Sequence, residues 1–171
     1  MESIEMMEKA KKKIDYKIPK KKPQKILVPL DGSKFSIRAL NYAMNLSKFT
    51  NSKIIGIFVV PSDDTPSPID DLLNPLSSIS TQGYETKMTK VGHKILENAE
   101  KRCQQNKISF AKKILFGNPG NEIIKYSEDK KIGIELIVMG SQGHGHAEEI
   151  LLGSVSYKVV HKSKKPVMII K

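Results

Sequence analysis

Three glycines and two serines stand at intervals suited to holding an anion. They are Gly140 and Gly143 in Gly140-Ser-Gln-Gly143, then, after nine intervening residues, Gly153-Ser154-Val155-Ser156, a G-x2-G-x9-G-S pattern. Gly140 and Gly143 are expected to turn the backbone sharply and to present amide N–H groups with no Cβ in the way. Gly153 leaves room for a phosphate at the start of a helix, whose unpaired N–H groups and positive dipole end favour an anion. Ser154 and Ser156 can add hydroxyl donors to phosphate oxygens. Alone, such a set also fits a plain loop with a glycine helix stop. Its place after the most apolar strand and before a helix favours the phosphate reading.

Other chemistries find less support. No G-x4-G-K-[ST] string occurs, so the loop is not a Walker A sequence. The dinucleotide fingerprint should follow the first strand, where Pro29-Leu-Asp-Gly-Ser33 stands instead. Asp31 is the one well-placed carboxylate, and no Ser-His-acid or paired-carboxylate arrangement is apparent. His144 and His146 could touch a phosphate or a metal, but no third ligand is evident, and Glu148 and Glu149 read as solvent-facing. A magnesium ion carried in by a nucleotide is the simpler metal. Cys103 is the single cysteine, which excludes an internal disulfide and a thiolate zinc site. It falls on a helical apolar stripe and reads as a small buried hydrophobe.

The elements that must position these residues follow from hydrophobic periodicity. Short β-branched runs at Lys25 to Leu30, Lys53 to Val60, Ser109 to Phe116, Ile134 to Met139 and Pro166 to Ile170 read as strands. The third is the most polar and therefore nearer a sheet edge. Ser33 is placed to cap a helix running to about Lys48, with Phe35, Ala39, Leu40, Ala43 and Leu46 on one face. A second stripe from Tyr84 to about Asn106 carries Met88, Val91, Ile95, Leu96, Ala99 and Cys103, with His93 off it. Asn118-Pro119 opens a third helix to about Lys130, and Ser154 a fourth to about Ser163. Alternating strands and helices imply a mainly parallel α/β sheet, helices on both faces, in the order 3-2-1-4-5. Ligands bind such sheets where connections leave in opposite directions, here between strands one and four, beside Asp31 and Gly140.

The 171 residues suit one domain after a basic arm over 1–24, with 25–171 forming the domain. Net charge +11 is weighted toward Lys9, Lys11 to Lys13, Lys17, Lys20 to Lys22 and Lys25. That arm could attract nucleic acid or anionic lipid, yet it lacks interleaved aromatics apart from Tyr16, so a solvated tail is favoured. Pro61 to Gly83, rich in Pro, Asp and Ser, reads as a long irregular connection, either a flap over a site or a variable insertion. No run approaches a membrane span and no signal-like segment opens the chain, so the expected compartment is the cytoplasm.

The chain resembles the universal stress protein (UspA) family, ATP-binding subgroup. The matching pieces are Ile26-Leu-Val-Pro-Leu-Asp-Gly-Ser33, Phe58-Val-Val60, Leu136-Ile-Val-Met-Gly140, Ser141-Gln-Gly143, Leu151-Leu-Gly-Ser-Val-Ser156 and Pro166-Val-Met-Ile-Ile170. The resemblance implies a Rossmann-like fold of the adenine nucleotide alpha hydrolase type, with five parallel strands. It implies that Asp31 contacts ribose or a phosphate-bound magnesium, since a bare carboxylate would repel a triphosphate. Val59 would meet the adenine, with Pro29 and Leu30 on the same wall. Gly140, Gln142, Gly143, Gly153, Ser154, Val155 and Ser156 would hold ribose and phosphates. It also implies a homodimer paired through the last strand, 166–170, although the chain's own arm could cap that edge.

Three functions follow. The favoured one is a nucleotide-responsive binding module, because a phosphate cradle stands without an evident base or nucleophile. A slow ATPase or autophosphorylating protein is the enzymatic alternative. Nucleic-acid or membrane-surface binding through the arm is the third.

Overall fold

The computed structural model describes residues 22–62, 77–143 and 152–171, with backbone alone for 77–82. Its strands are the expected apolar runs: β1 (Lys25–Pro29), β2 (Lys53–Val60), β3 (Phe110–Phe116), β4 (Leu136–Gly140) and β5 (Val167–Ile170). Its helices are α1 (Lys34–Thr50), α2 (Ser77–Gln105), α3 (Pro119–Glu128) and α4 (Ser154–Lys162). All strand pairs are parallel, in the order β3-β2-β1-β4-β5. The fold is the doubly covered α/β sheet that the alternation implied. β3 is one edge, as its polarity predicted.

Successive side chains of a strand point to opposite faces, and each face has its own core. Ile26, Val28, Ile54, Phe58 and Val138 pack with Ala39, Leu40 and Ala43 of α1 and with Leu96, Ala99 and Cys103 of α2. Leu27, Ile55, Ile57, Ile137 and Met139 face Ile123 of α3 and Val159 of α4. The strands are therefore apolar on both sides, which is why they read as continuous runs.

Turn chemistry sets the helix starts. Gly32 takes φ 88° between Asp31 and Ser33, a left-handed conformation that favours glycine. Ser33 then caps α1 by accepting from the Ser36 N–H, and Asn118 caps α3 by accepting from the Asn121 N–H. Three boundaries differ from expectation. α2 begins at Ser77, so residues 77–83 are helical and not part of the irregular connection; its Gly83 stands in open space, where a helix tolerates glycine at a modest cost. Residues 63–76 lie outside the described residues. β4 starts two residues late and includes Gly140, which pairs with Ile170 and so closes the strand instead of turning the chain. The arm's last residues are tied to the domain: Gln24 O accepts from Lys53 N at 2.8 Å and Lys22 Nζ donates to Phe49 O at 3.2 Å. Among the described residues no helix is long and apolar enough to cross a membrane.

Cys103 is buried at 0% exposure. Burial pushes its thiol from 9.0 up to about 11, against a smaller opposing pull from Arg102. Between those values an unfolded thiol ionises while the folded one keeps its proton, so stability falls as pH rises through that window. Burial and Asp129 raise Tyr126 as well, which adds loss in the same direction at alkaline pH. Cys103→Ala is expected to flatten the fall of urea midpoints between pH 9 and 11. An unchanged slope would show that Cys103 is not its source.

Candidate functional site

The carboxyl ends of β1, β2 and β4 open on one side of the sheet, and each delivers part of a site. Leu30 leaves β1 with its N–H donating to Ile57 O at 2.8 Å, which keeps the turn against β2. Asp31 Oδ1 then accepts from the Ser33 N–H at 2.9 Å, an Asx turn that orients the carboxylate. Its other oxygen is directed at the β4 loop: a methyl group added to Gly143 would lie 2.7 Å from Asp31 Oδ2. The two halves of the motif therefore meet, and Gly143 is small because the Asp31 carboxylate occupies that space.

Gly140 has a related role. A Cβ there would lie 2.8 Å from both the carbonyl carbon and the Cβ of Phe35, so its missing side chain admits the first turn of α1 against β4. The sequence expectation of a sharp turn at Gly140 is corrected to close helix–strand packing. Among the described residues it does not share the positive φ of Gly32, Gly117 and Gly133.

Ser141 joins the two glycine clusters. Its N–H donates to Ile170 O of β5 at 2.8 Å. Its carbonyl accepts from Gly153 N at 2.8 Å and from Ser156 Oγ at 2.6 Å. Ser156 Oγ also lies 2.9 Å from Gly153 O, and both serines are 2% exposed. A hydroxyl has one hydrogen to give, and these buried carbonyls take it. Ser156 thus anchors the loop, which corrects the expectation that its hydroxyl reaches a phosphate. Ser154 is exposed and keeps that role available.

The N-cap of α4 is Gly153, which supplies no side-chain cap, unlike Ser33 and Asn118 at α1 and α3. A glycine cap adds no side-chain acceptor for the first-turn N–H groups, which suits an incoming anion. They open on a cavity of about 680 Å³, within the usual range for small-molecule sites. The residues assigned in sequence to nucleotide binding line it. Pro29, Leu30 and Asp31 come from the end of β1 and the turn after it, Val59 from β2, Gly140, Gln142 and Gly143 from β4 and its loop, and Gly153, Ser154, Val155 and Ser156 from the cap and first turn of α4.

Sequence reasoning missed part of the wall. Met88 and Val91 of α2 line the cavity, as do Met139, Pro119 and Ile123. Met88 and Val91 lie on a stripe read as core, yet Val91 is 40% exposed; a stripe running past its partner strand was the available signal. His144, His146, Glu148 and Glu149 lie outside the described residues. Among the described lining residues Asp31 is the sole ionisable side chain, and no cluster of three His, Cys, Asp or Glu forms there. The wall is otherwise apolar, with backbone amides and serines at one end. Such a site can hold a flat apolar group at one end and an anion at the other.

The anchoring role of Ser156 separates it from Ser154. Ser156→Ala is expected to lower unfolding free energy in urea by roughly 1–2 kcal/mol through loss of a buried hydrogen bond. Ser154→Ala should stay within about 0.5 kcal/mol. The reverse order would contradict the anchor.

Comparison with known proteins agrees with this geometry. The profile of the universal stress protein family matches residues 22–171. The chain is 30% identical to universal stress protein MJ0531 of Methanocaldococcus jannaschii, over 86% of this chain and 82% of that protein. The structure of MJ0577 from the same organism superposes with a TM-score of 0.62 at 32% identity, covering 86% of this chain and 95% of that one. A universal stress protein from Archaeoglobus fulgidus, determined in complex with dAMP, shares the fold at a TM-score of 0.58 and 20% identity, over 86% and 98% of the two chains. With nearly all of the described fold inside the profile, the chain belongs to the universal stress protein family.

Proposed function

We propose that this chain binds ATP in the cavity between β1 and β4 and acts as a nucleotide-responsive regulatory module in a stress response. The observation that carries the reading is the meeting of Asp31 with Gly143 beside the side-chain-uncapped start of α4. Adenine would lie against Pro29, Leu30 and Val59, with Met88 and Val91 completing the apolar wall. The phosphates would lie over Gly143, Gly153 and Ser154, where amide N–H groups and the positive end of α4 favour negative charge.

Asp31 sets a condition on that pose. A carboxylate facing a polyphosphate is repulsive unless it accepts from a ribose hydroxyl or shares a cation with the phosphates. Oδ2, directed at the loop, suits either role, and magnesium would be held jointly by Asp31 and the nucleotide. The apolar wall and the single ionisable lining side chain among the described residues support binding over chemistry. Nucleotide occupancy would then act by bridging Gly143 and Gly153, which the Ser141 carbonyl holds near one another.

The open edge of β5 supports a homodimer through 166–170. Among the described residues β5 pairs with β4 alone, and Met168 is 40% exposed. Light scattering is expected to give twice the 19.1 kDa chain mass; a monomer would remove that part of the proposal.

Calorimetric titration with ATP and magnesium is expected to give saturable heat, weakened about tenfold or more by Asp31→Ala through loss of one charge-assisted contact. No saturable heat with wild-type protein would contradict the nucleotide reading. Equal binding by the variant would remove Asp31 from the site.

A further inference from the structure

A cation stands beside two stretches of chain that line the cavity. Lys158 lies one helical turn after Ser154, and its ammonium donates to Asn118 Oδ1 at 3.2 Å. Asn118 immediately precedes Pro119, and both Pro119 and Ser154 line the cavity. The lysine is thus held at the rim between the first turns of α3 and α4. The lining itself contains no lysine or arginine among the described residues.

Two features fix that position. The lysine stem lies over Gly120, where an added Cβ would come 2.7 Å from Lys158 Cδ and 3.4 Å from its Cβ and Cγ. Asn118 Oδ1 meanwhile caps α3 through the Asn121 N–H at 3.2 Å, so the acceptor that holds the ammonium is itself fixed. Asn118 is neutral, and the positive charge is not cancelled by it. An ammonium has three donors, and among the described residues one of them is spent, on Asn118.

We propose that Lys158 is the residue that reads the length of the phosphate chain: a nucleotide's terminal phosphates leave the cradle past Ser154 and meet this ammonium at the rim. The proposal rests on the nucleotide reading above. A nucleoside or monophosphate ends inside the cradle and gains nothing from Lys158, whereas di- and triphosphates gain a charge-assisted contact. The site then ranks ligands by phosphate number, although its own lining carries a carboxylate. Gly120 is part of the device, because any side chain there would push the lysine stem off its seat.

The test is a calorimetric series of adenosine, AMP, ADP and ATP at fixed free magnesium, on wild-type protein, Lys158→Gln, Lys158→Arg and Gly120→Ala. Lys158→Gln is expected to weaken ATP about tenfold and to leave adenosine and AMP within about twofold. Lys158→Arg should retain ATP affinity, since charge and reach persist. Gly120→Ala should weaken ATP selectively while Lys158 itself is intact. An equal loss across the series, or no loss for ATP, would overturn the proposal and leave nucleotide binding standing. A wild-type protein that binds none of the four would overturn both readings. Thermal melts of each variant check that the fold is unchanged.

Discussion

The site depends on one carbonyl. Ser141 O receives Gly153 N and Ser156 Oγ, and Ser141 N is held by the last strand. These bonds close the excursion that separates the two glycine clusters, so the end of β4 and the start of α4 arrive at the same point. A loop of this length gains little from its own closure, because ordering the chain costs entropy. Buried hydrogen bonds to a carbonyl already fixed in the sheet supply the offset, and they are costly to leave unmade. Everything facing the cavity from α4 inherits its position from that carbonyl. Gly140 supplies the second constraint by letting α1 press against β4, which brings the Asp31 turn alongside.

Much of this was legible in sequence, for physical reasons. Strands buried on both faces show as unbroken β-branched runs, and Ser33 and Asn118-Pro119 announce helix starts through their capping chemistry. The residues lining the cavity from the β4 loop and α4 were legible because glycines and serines stand at set intervals between an apolar strand and a helix. What sequence could not carry was tertiary proximity. Gly140 looked like a turn because nothing in its neighbours announces Phe35. Ser156 looked like a ligand because its acceptor lies fifteen residues away. The start of α2 was hidden by serines and Gly83, which have weak helix propensity. Val91 followed the core stripe in sequence but is 40% exposed and lines the cavity.

The electrostatic design favours ligand sensing. A lining with one carboxylate has no lysine or arginine, among the described residues, to neutralise a polyphosphate, so the proposed ligand would rely on amide dipoles, a shared cation and the lysine at the rim. Contacts of that kind are individually modest and depend on geometry. Under the proposed function, occupancy would couple to the position of Gly143 and Gly153, as a regulatory module requires. Membership of the universal stress protein family accords with such a role.

The central claim is that one ligand is held jointly by the β1 turn, the β4 loop and the start of α4. Amide chemical shifts followed by NMR during titration with ATP and magnesium test it directly. The account predicts saturable shifts with a single dissociation constant at Asp31–Ser33, Gly140–Gly143 and Gly153–Ser156 together. Shifts confined to one of those stretches, or centred elsewhere on the surface, would contradict it.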